Sequence, residues 1–195
     1  TNAALHWTTR LNLDGWRLDV ADEVAHSLWR ELRRKLNQAN TDILIIGEVW
    51  HHANAWLRGD EFDTVTNYKL RSALIALAKG QIDSGAFWRT VGANRMLYMS
   101  PLYPYLVSFA GTHDTSRIRT ELGSDQLQIL TLAAVLTMEG IPLIYYGDEL
   151  GMEGGEDPDN RRAMRWDLVN SPLAQEIRAL ANFRAQNAVL RRGSM

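Results

Sequence analysis

The chain has 195 residues, 46% of them hydrophobic and 23% charged, with a formal net charge of −2. That is enough for one domain with a real core, and it carries no electrostatic footprint for nucleic acid or an anionic membrane surface. The absence of cysteine excludes disulfides and thiolate zinc sites and fits a reducing, cytoplasmic compartment.

No apolar run reaches the roughly 18 to 20 residues that a membrane span needs. No signal peptide is visible, but the chain opens inside a helical pattern, so the native N-terminus is expected upstream of Thr1. Residues 1–12 read as that first helix. Asp14-Gly15 then leads into a strand from Trp16 to Ala21. Val24, Leu28, Leu32 and Leu36 recur every four residues with Arg and Glu opposite, the stripe of an amphipathic helix lying on a sheet. Ile43 to Ile46 is an apolar, β-branched run too short for a helix. A weaker strand runs from Phe62 to Tyr68, and residues 69–98 are helical but poorly patterned.

The fourth strand spans Leu106 to Ala110. Residues 125–138 are apolar nearly all round, which predicts a buried helix with Gly140 placed to stop it. The fifth strand is Leu143 to Tyr146, and residues 151–167 form a loop rich in Gly, Asp and Arg. Ser171 before Pro172 reads as an N-cap with proline at the first helical position, opening a helix that runs to about Asn187. Short apolar strands alternating with helices argue for a parallel sheet covered by helices. An open doubly wound sheet and a (β/α)8 barrel both fit, and five strands are too few to close the latter.

Each strand ends in chemically capable residues: Arg17 and Asp19, Gly47-Glu48-Val49-Trp50, His113-Asp114, and Asp148-Glu149. In a parallel α/β fold these ends share one face, where active sites are built, so three or four carboxylates should converge there. There is no Gly-rich phosphate loop and no G-x-S-x-G elbow. Two chemistries remain: a divalent-cation site, or acid/base and nucleophilic work on a glycosidic bond. Arg17 and Asp19 alternate along a strand and share a face, and a neighbouring Arg keeps an Asp ionised. Glu48, beside apolar residues and Trp50, has a setting that raises a carboxyl pKa and suits a general acid. This combination favours sugar chemistry.

Each feature also has a plainer reading. Arg17–Asp19 is equally a structural ion pair, His113-Asp114 a helix cap, and Trp50 and Trp56 core or rim. The adjacent His51-His52 points in two directions, which is poor metal geometry. The joint occurrence at successive strand ends carries the functional reading.

Four segments resemble the conserved regions of the α-amylase family (glycoside hydrolase family 13). Gly15-Trp16-Arg17-Leu18-Asp19-Val20-Ala21 is similar to the family's strand-four region and Gly47-Glu48-Val49-Trp50 to its strand-five region. Gly111-Thr112-His113-Asp114-Thr115 resembles the strand-seven region, and residues 140–149 resemble the entry to strand eight. Asp22-Glu23-Val24 and the loop Gly154 to Trp166 resemble the neopullulanase, cyclomaltodextrinase and maltogenic amylase subgroup. Asp22, His52 and Ala25 depart from that subgroup's pattern.

The resemblance implies an α/β fold in which residues 1–195 form strands four to eight of a (β/α)8 barrel. Strands one to three, an N-terminal domain and a C-terminal β domain would be absent. It implies a retaining hydrolase of α-1,4 bonds, with α-1,6 bonds as an alternative, in cyclodextrins, pullulan, starch or maltodextrins, needing no cofactor or metal. Asp19 would be the nucleophile, Glu48 the general acid/base, and Asp114 the transition-state stabiliser. Arg17 would orient Asp19 and His113 would bind the sugar in the cleaved subsite; Glu23 and Trp50 would shape the acceptor side, Asp157 and Arg161 the donor side. The expected partner is an α-glucan oligosaccharide. With part of the cleft missing, the piece alone is expected to be inactive and to self-associate through exposed barrel edges. A non-catalytic, sugar-binding or scaffold relative is the competing class.

Overall fold

Two β-runs of the sequence pair first. β1 (Gly15–Leu18) lies parallel to β2 (Leu44–Gly47), Gly15 opposite Leu44 and Leu18 opposite Gly47, in a computed structural model that describes residues 1–193. β3 (Thr64–Val65) pairs in parallel with the other side of β2. β4 (Val107–Ser108) pairs in parallel with β5 (Ile141–Pro142). A parallel bridge between Thr66 and Val107 joins the two sets, and the Asn67 N–H donates to the Val107 carbonyl at 2.8 Å. The strands therefore follow one another in space in chain order.

Helices make most of the returns. α1 (Asn2–Leu11) precedes β1, and α2 (His26–Ala39) connects β1 to β2. α3 (Tyr68–Ala78) and α4 (Ser84–Met96) lie between β3 and β4, and α5 (Ile118–Leu122) and α6 (Asp125–Thr137) between β4 and β5. α7 (Pro172–Gln186) and α8 (Ala188–Arg192) follow. Sequential parallel strands with covering helices are the architecture of a partial (β/α)8 barrel, as expected. Among the described residues β1 and β5 each have a strand on one side only.

The predicted stripe packs only in part: Leu28 is 42% exposed and Val24 lies ahead of the helix. Leu32 and Leu36 of α2 are buried with Trp29 against Ile43, Ile45, Phe62 and Val65. A second cluster gathers Leu70, Leu74, Phe87, Val91, Leu132, Val135 and Ile177. Gly47 is required by close approach, since a Cβ there would fall 2.4 Å from the Phe62 ring. Ser171 caps α7 as predicted, its hydroxyl accepting from the Ala174 N–H at 3.2 Å.

Buried arginines tie the layers together. Arg184 of α7 donates to the carbonyls of Leu136 (2.9 Å), Met138 (3.2 Å) and Gly140 (2.7 Å). It thereby satisfies carbonyls that the end of α6 leaves orphaned. Arg33 of α2 donates to the carbonyls of Glu61 and Ile43 and to the Asp63 carboxylate, which accepts the Ile45 N–H at 2.7 Å.

Three expectations are corrected. The first strand ends at Leu18, not Ala21: Val20 is left-handed (φ 44°, ψ 49°) and a 3-10 turn follows at Ala21–Glu23. The fifth ladder lies at Ile141–Pro142, ahead of the predicted Leu143–Tyr146. Gly140, at φ +123°, brings the chain so close to β4 that a Cβ would lie 2.1 Å from the Ser108 Oγ, so pairing starts at once. Leu143 is the last to donate, to the Ser108 carbonyl at 2.8 Å. Tyr145 and Tyr146 instead pack on the Arg117 guanidinium, 4.3 and 4.5 Å from their ring centroids. Finally, α6 is buried on one face, not all round: Leu132, Val135 and Leu136 are inside, whereas Leu130 is 65% exposed.

Candidate active site

Arg17 is the hub. It projects from β1, and its guanidinium meets carboxylates delivered by three strand ends. One Nη bonds Asp19, the first residue beyond β1 on that side of the pleat. The other lies 2.8 Å from Glu48, the first residue beyond β2, and 3.9 Å from Asp114 in the turn after β4. Three acids about 30 and 66 residues apart in the chain thus share one cation.

Their surroundings differ. The Asp19 side chain is 71% exposed and open to an incoming molecule. Its pKa is held below the usual 3.8, chiefly by the hydrogen bond from Arg17; the Glu48 carboxyl and the charge of His113 contribute in the same direction. Asp19 is therefore an anion at neutral pH, as a nucleophile must be.

Glu48 is 2% exposed. One oxygen accepts from the Tyr68 hydroxyl at 3.2 Å and the Trp50 indole N–H at 3.3 Å; the other accepts the Val20 N–H at 3.1 Å. That last donor is aimed by the left-handed turn at Val20. A β-branched residue there is strained by about 1–3 kcal/mol, the kind of strain that collects at functional sites. Trp50 stacks on Tyr68 with centroids 4.1 Å apart and remains 52% exposed at the rim. Beside it opens a cavity of about 420 Å³ lined by Trp50, Asn67, Tyr68, Lys69, Asn94 and Tyr98, among others.

Asp114 sits in a turn closed by its own threonines: its N–H donates to the Thr112 Oγ at 3.2 Å, and the Thr112 N–H to the Thr115 Oγ at 3.0 Å. His113 Nε2 is 3.0 Å from one Asp114 oxygen. Arg161 Nη2 is 3.3 Å from the other, while Arg161 Nε pairs with Asp157 at 2.8 Å.

Of the residues singled out in the sequence, Arg17, Asp19, Glu48, Trp50, His113, Asp114, Asp157 and Arg161 thus form one connected constellation. Glu23 does not join it: it is exposed on the turn after β1, and no ion pair links it to the other described site residues. The fourth strand-end acid is also turned elsewhere. Asp148 is 1% exposed and faces Arg117 at 3.4 Å, so three carboxylates converge, not four. His51 pairs with Asp22 at 2.8 Å and His52 with the Leu97 carbonyl at 3.1 Å. Among the described residues no three His, Asp or Glu side chains are grouped to hold a metal.

Tyr68 was missed by the sequence reading. Its signal was its position at the end of the third strand run, obscured because a tyrosine at the junction of a strand and a helix reads equally as core. Burial and the nearby Glu48 charge push its hydroxyl pKa upward, so it stays a donor.

The chain is similar in sequence and fold to known proteins. Residues 1–188 fit the model of the alpha-amylase catalytic domain. A cyclomaltodextrinase from Geobacillus thermopakistaniensis is 40% identical over 203 residues, covering all of this chain and 34% of that protein. Neopullulanase 2 from Thermoactinomyces vulgaris is 43% identical, covering 94% of this chain and 32% of its own length. The solved cyclic alpha-maltosyl-(1→6)-maltose hydrolase from Arthrobacter globiformis superposes with a TM-score of 0.92 at 33% identity, covering 97% of this chain and 44% of that one. The chain thus spans about a third of the length of the curated relatives it matches.

Proposed function

Because this chain belongs to the alpha-amylase catalytic-domain family, we propose that it forms strands four to eight of the barrel of a longer retaining hydrolase of α-glucosidic bonds. The single observation behind this reading is one guanidinium, Arg17, holding Asp19, Glu48 and Asp114 together at the ends of three parallel strands. The proposed substrates are cyclodextrins, pullulan, starch or maltodextrins, cut at α-1,4 and alternatively α-1,6 linkages.

On this reading, Asp19 attacks the anomeric carbon as Glu48 gives its proton to the glycosidic oxygen. The bond to the leaving sugar breaks and a glycosyl ester forms on Asp19. Glu48, now a carboxylate, takes a proton from water as that water displaces Asp19, restoring the starting state. Exposure of Asp19 supports its role as nucleophile. Burial of Glu48 among Arg17, Tyr68, Trp50 and Val20 supports a proton carrier held in one orientation. Asp114, gripped from both sides by His113 and Arg161, is placed to take sugar hydroxyls as charge develops on the ring. Trp50 offers an exposed aromatic face to the acceptor sugar, and Asp157 with Arg161 a polar donor wall. Cytoplasmic residence belongs to the same proposal, and fractionation of the source cells tests it; no helix among the described residues is long and apolar enough to cross a membrane.

The test is Asp19→Asn in a protein that carries this chain together with the rest of the proposed barrel. Turnover of cyclodextrin or maltotriose should nearly vanish with the fold intact. Unchanged hydrolysis would refute the reading. Sugar binding without hydrolysis by the unsubstituted protein would favour a binding or scaffold role.

A further inference from the structure

One residue of the loop after β5 reaches the turn that carries Asp114, and no motif drew attention to it. Asn160, on the 3-10 turn Asp159–Arg161, is fully buried. Its side-chain amide donates to two main-chain carbonyls, those of His113 at 2.6 Å and Thr115 at 2.9 Å. These carbonyls flank Asp114 on either side. Asn160's own carbonyl accepts from Arg117 Nε at 2.9 Å and lies 3.5 Å from the Tyr145 hydroxyl. Arg117 is itself fixed: its side chain is buried, it donates to the Tyr146 carbonyl, it lies 3.4 Å from Asp148, and its guanidinium packs on the edge-to-face pair of Tyr145 and Tyr146. The same loop is pinned a second time, by the Arg117 N–H on the Gly154 carbonyl (3.0 Å) and the Thr120 hydroxyl accepting the Gly154 N–H (2.8 Å).

We propose that Asn160 is a positioning residue: it locks the Asp114 turn to the loop bearing Asp157 and Arg161, so that the transition-state carboxylate and the donor-side wall move as one body. The proposal rests on the hydrolase reading for its catalytic consequence, and on geometry alone for the coupling. Among the described residues, the two carbonyls about Asp114 are held, besides Asn160, only by the Arg161 Nε contact to His113 at 3.2 Å; the threonine bonds close the turn itself. Asn160 therefore sets where the carboxylate points. Misplacement of about 1 Å at such a group costs on the order of 10²-fold in rate.

Two measurements test this separately. In the 195-residue chain, backbone amide resonances are compared for Asn160→Asp, Asn160→Ala and Arg162→Ala. Asn160→Asp keeps the shape and deletes the donor, Asn160→Ala guards against misfolding from a buried charge, and Arg162→Ala cuts only the exposed pair with Asp159 on the same turn. Both Asn160 variants should shift His113–Thr115, and Arg162→Ala should not. Unmoved His113–Thr115 resonances in the Asn160 variants overturn the coupling, whatever the enzyme does. In the barrel-complete protein, Asn160→Asp and Asn160→Ala should lose about 10²-fold in kcat with little change in KM, the signature of an interaction made in the transition state. Wild-type kcat in folded Asn160 variants overturns the catalytic part. Absence of turnover in the unsubstituted protein refutes the hydrolase reading, and the resonances then decide the coupling alone.

Discussion

Asp148→Asn separates a buried acid's effect on stability from everything around it. Burial pushes the Asp148 pKa from 3.8 up to about 7, against the opposing charge of Arg117. In the unfolded chain the acid ionises near 3.8, whereas in the native state it keeps its proton to about pH 7. Between those limits the native state binds the extra proton, so stability falls as pH rises, by up to about 1.4 kcal/mol per pH unit. Above about pH 7 both states are ionised and the loss is complete, at a ceiling of about 4 kcal/mol. Asparagine cannot ionise and escapes this loss. Its altered contact with Arg117 adds an offset that does not depend on pH. Urea unfolding of both proteins at pH 5, 6, 7 and 8 should show the variant gaining on the wild type by about 2–3 kcal/mol from pH 5 to 7 and then levelling. A constant difference from pH 5 to 8 would refute the reasoning. So would a variant that loses ground as pH rises, since that would mean Arg117 stabilises the carboxylate more than burial penalises it.

Arg184→Met should destabilise the chain by about 3 kcal/mol in urea unfolding, because three carbonyls at the end of α6 lose a charged donor. Tyr68→Phe keeps the stack on Trp50 and the contact with Phe109 but removes the donor on Glu48. It should lower kcat about 10-fold or more in the barrel-complete protein at nearly unchanged stability, read by steady-state kinetics and thermal melting. With β1 and β5 each lacking one neighbour among the described residues, the 195-residue chain should self-associate; sedimentation velocity checks this, and a monodisperse monomer counts against it.

The fold was legible where burial dictates periodicity. Leu32 and Leu36 announced α2, the Ile43–Ile46 run announced β2, and Ser171-Pro172 announced the start of α7, because each signal is local. The fifth strand was misplaced because its ends are set by contacts that are not local: Gly140 against Ser108, and Tyr145 and Tyr146 on Arg117. The apolar face of α6 that stays outside at Leu130 carries no mark in the sequence that distinguishes it from the buried one.

The candidate site divides along the same line. Charged residues directly after buried strands are costly without a partner, which made Asp19, Glu48 and Asp114 visible. Tyr68, Asn160 and Arg117 make hydrogen bonds that span 20 to 47 residues of chain, and no periodicity encodes those. Asp148 satisfied the strand-end rule and still lies elsewhere, because a buried arginine offered it a partner on the other side.

On the proposed mechanism Asp19 is the nucleophile and Glu48 the proton carrier. An α-glucosyl fluoride needs no acid to leave, so Glu48→Gln should form the glycosyl ester and then release it slowly. Peptide mass spectrometry of that variant, in the barrel-complete protein after quenching, is the direct measurement. The predicted result is one glucosyl residue on the peptide containing Asp19, absent in the Asp19→Asn, Glu48→Gln double variant. A label on any other carboxylate, or none while the unsubstituted protein turns the fluoride over, would contradict it.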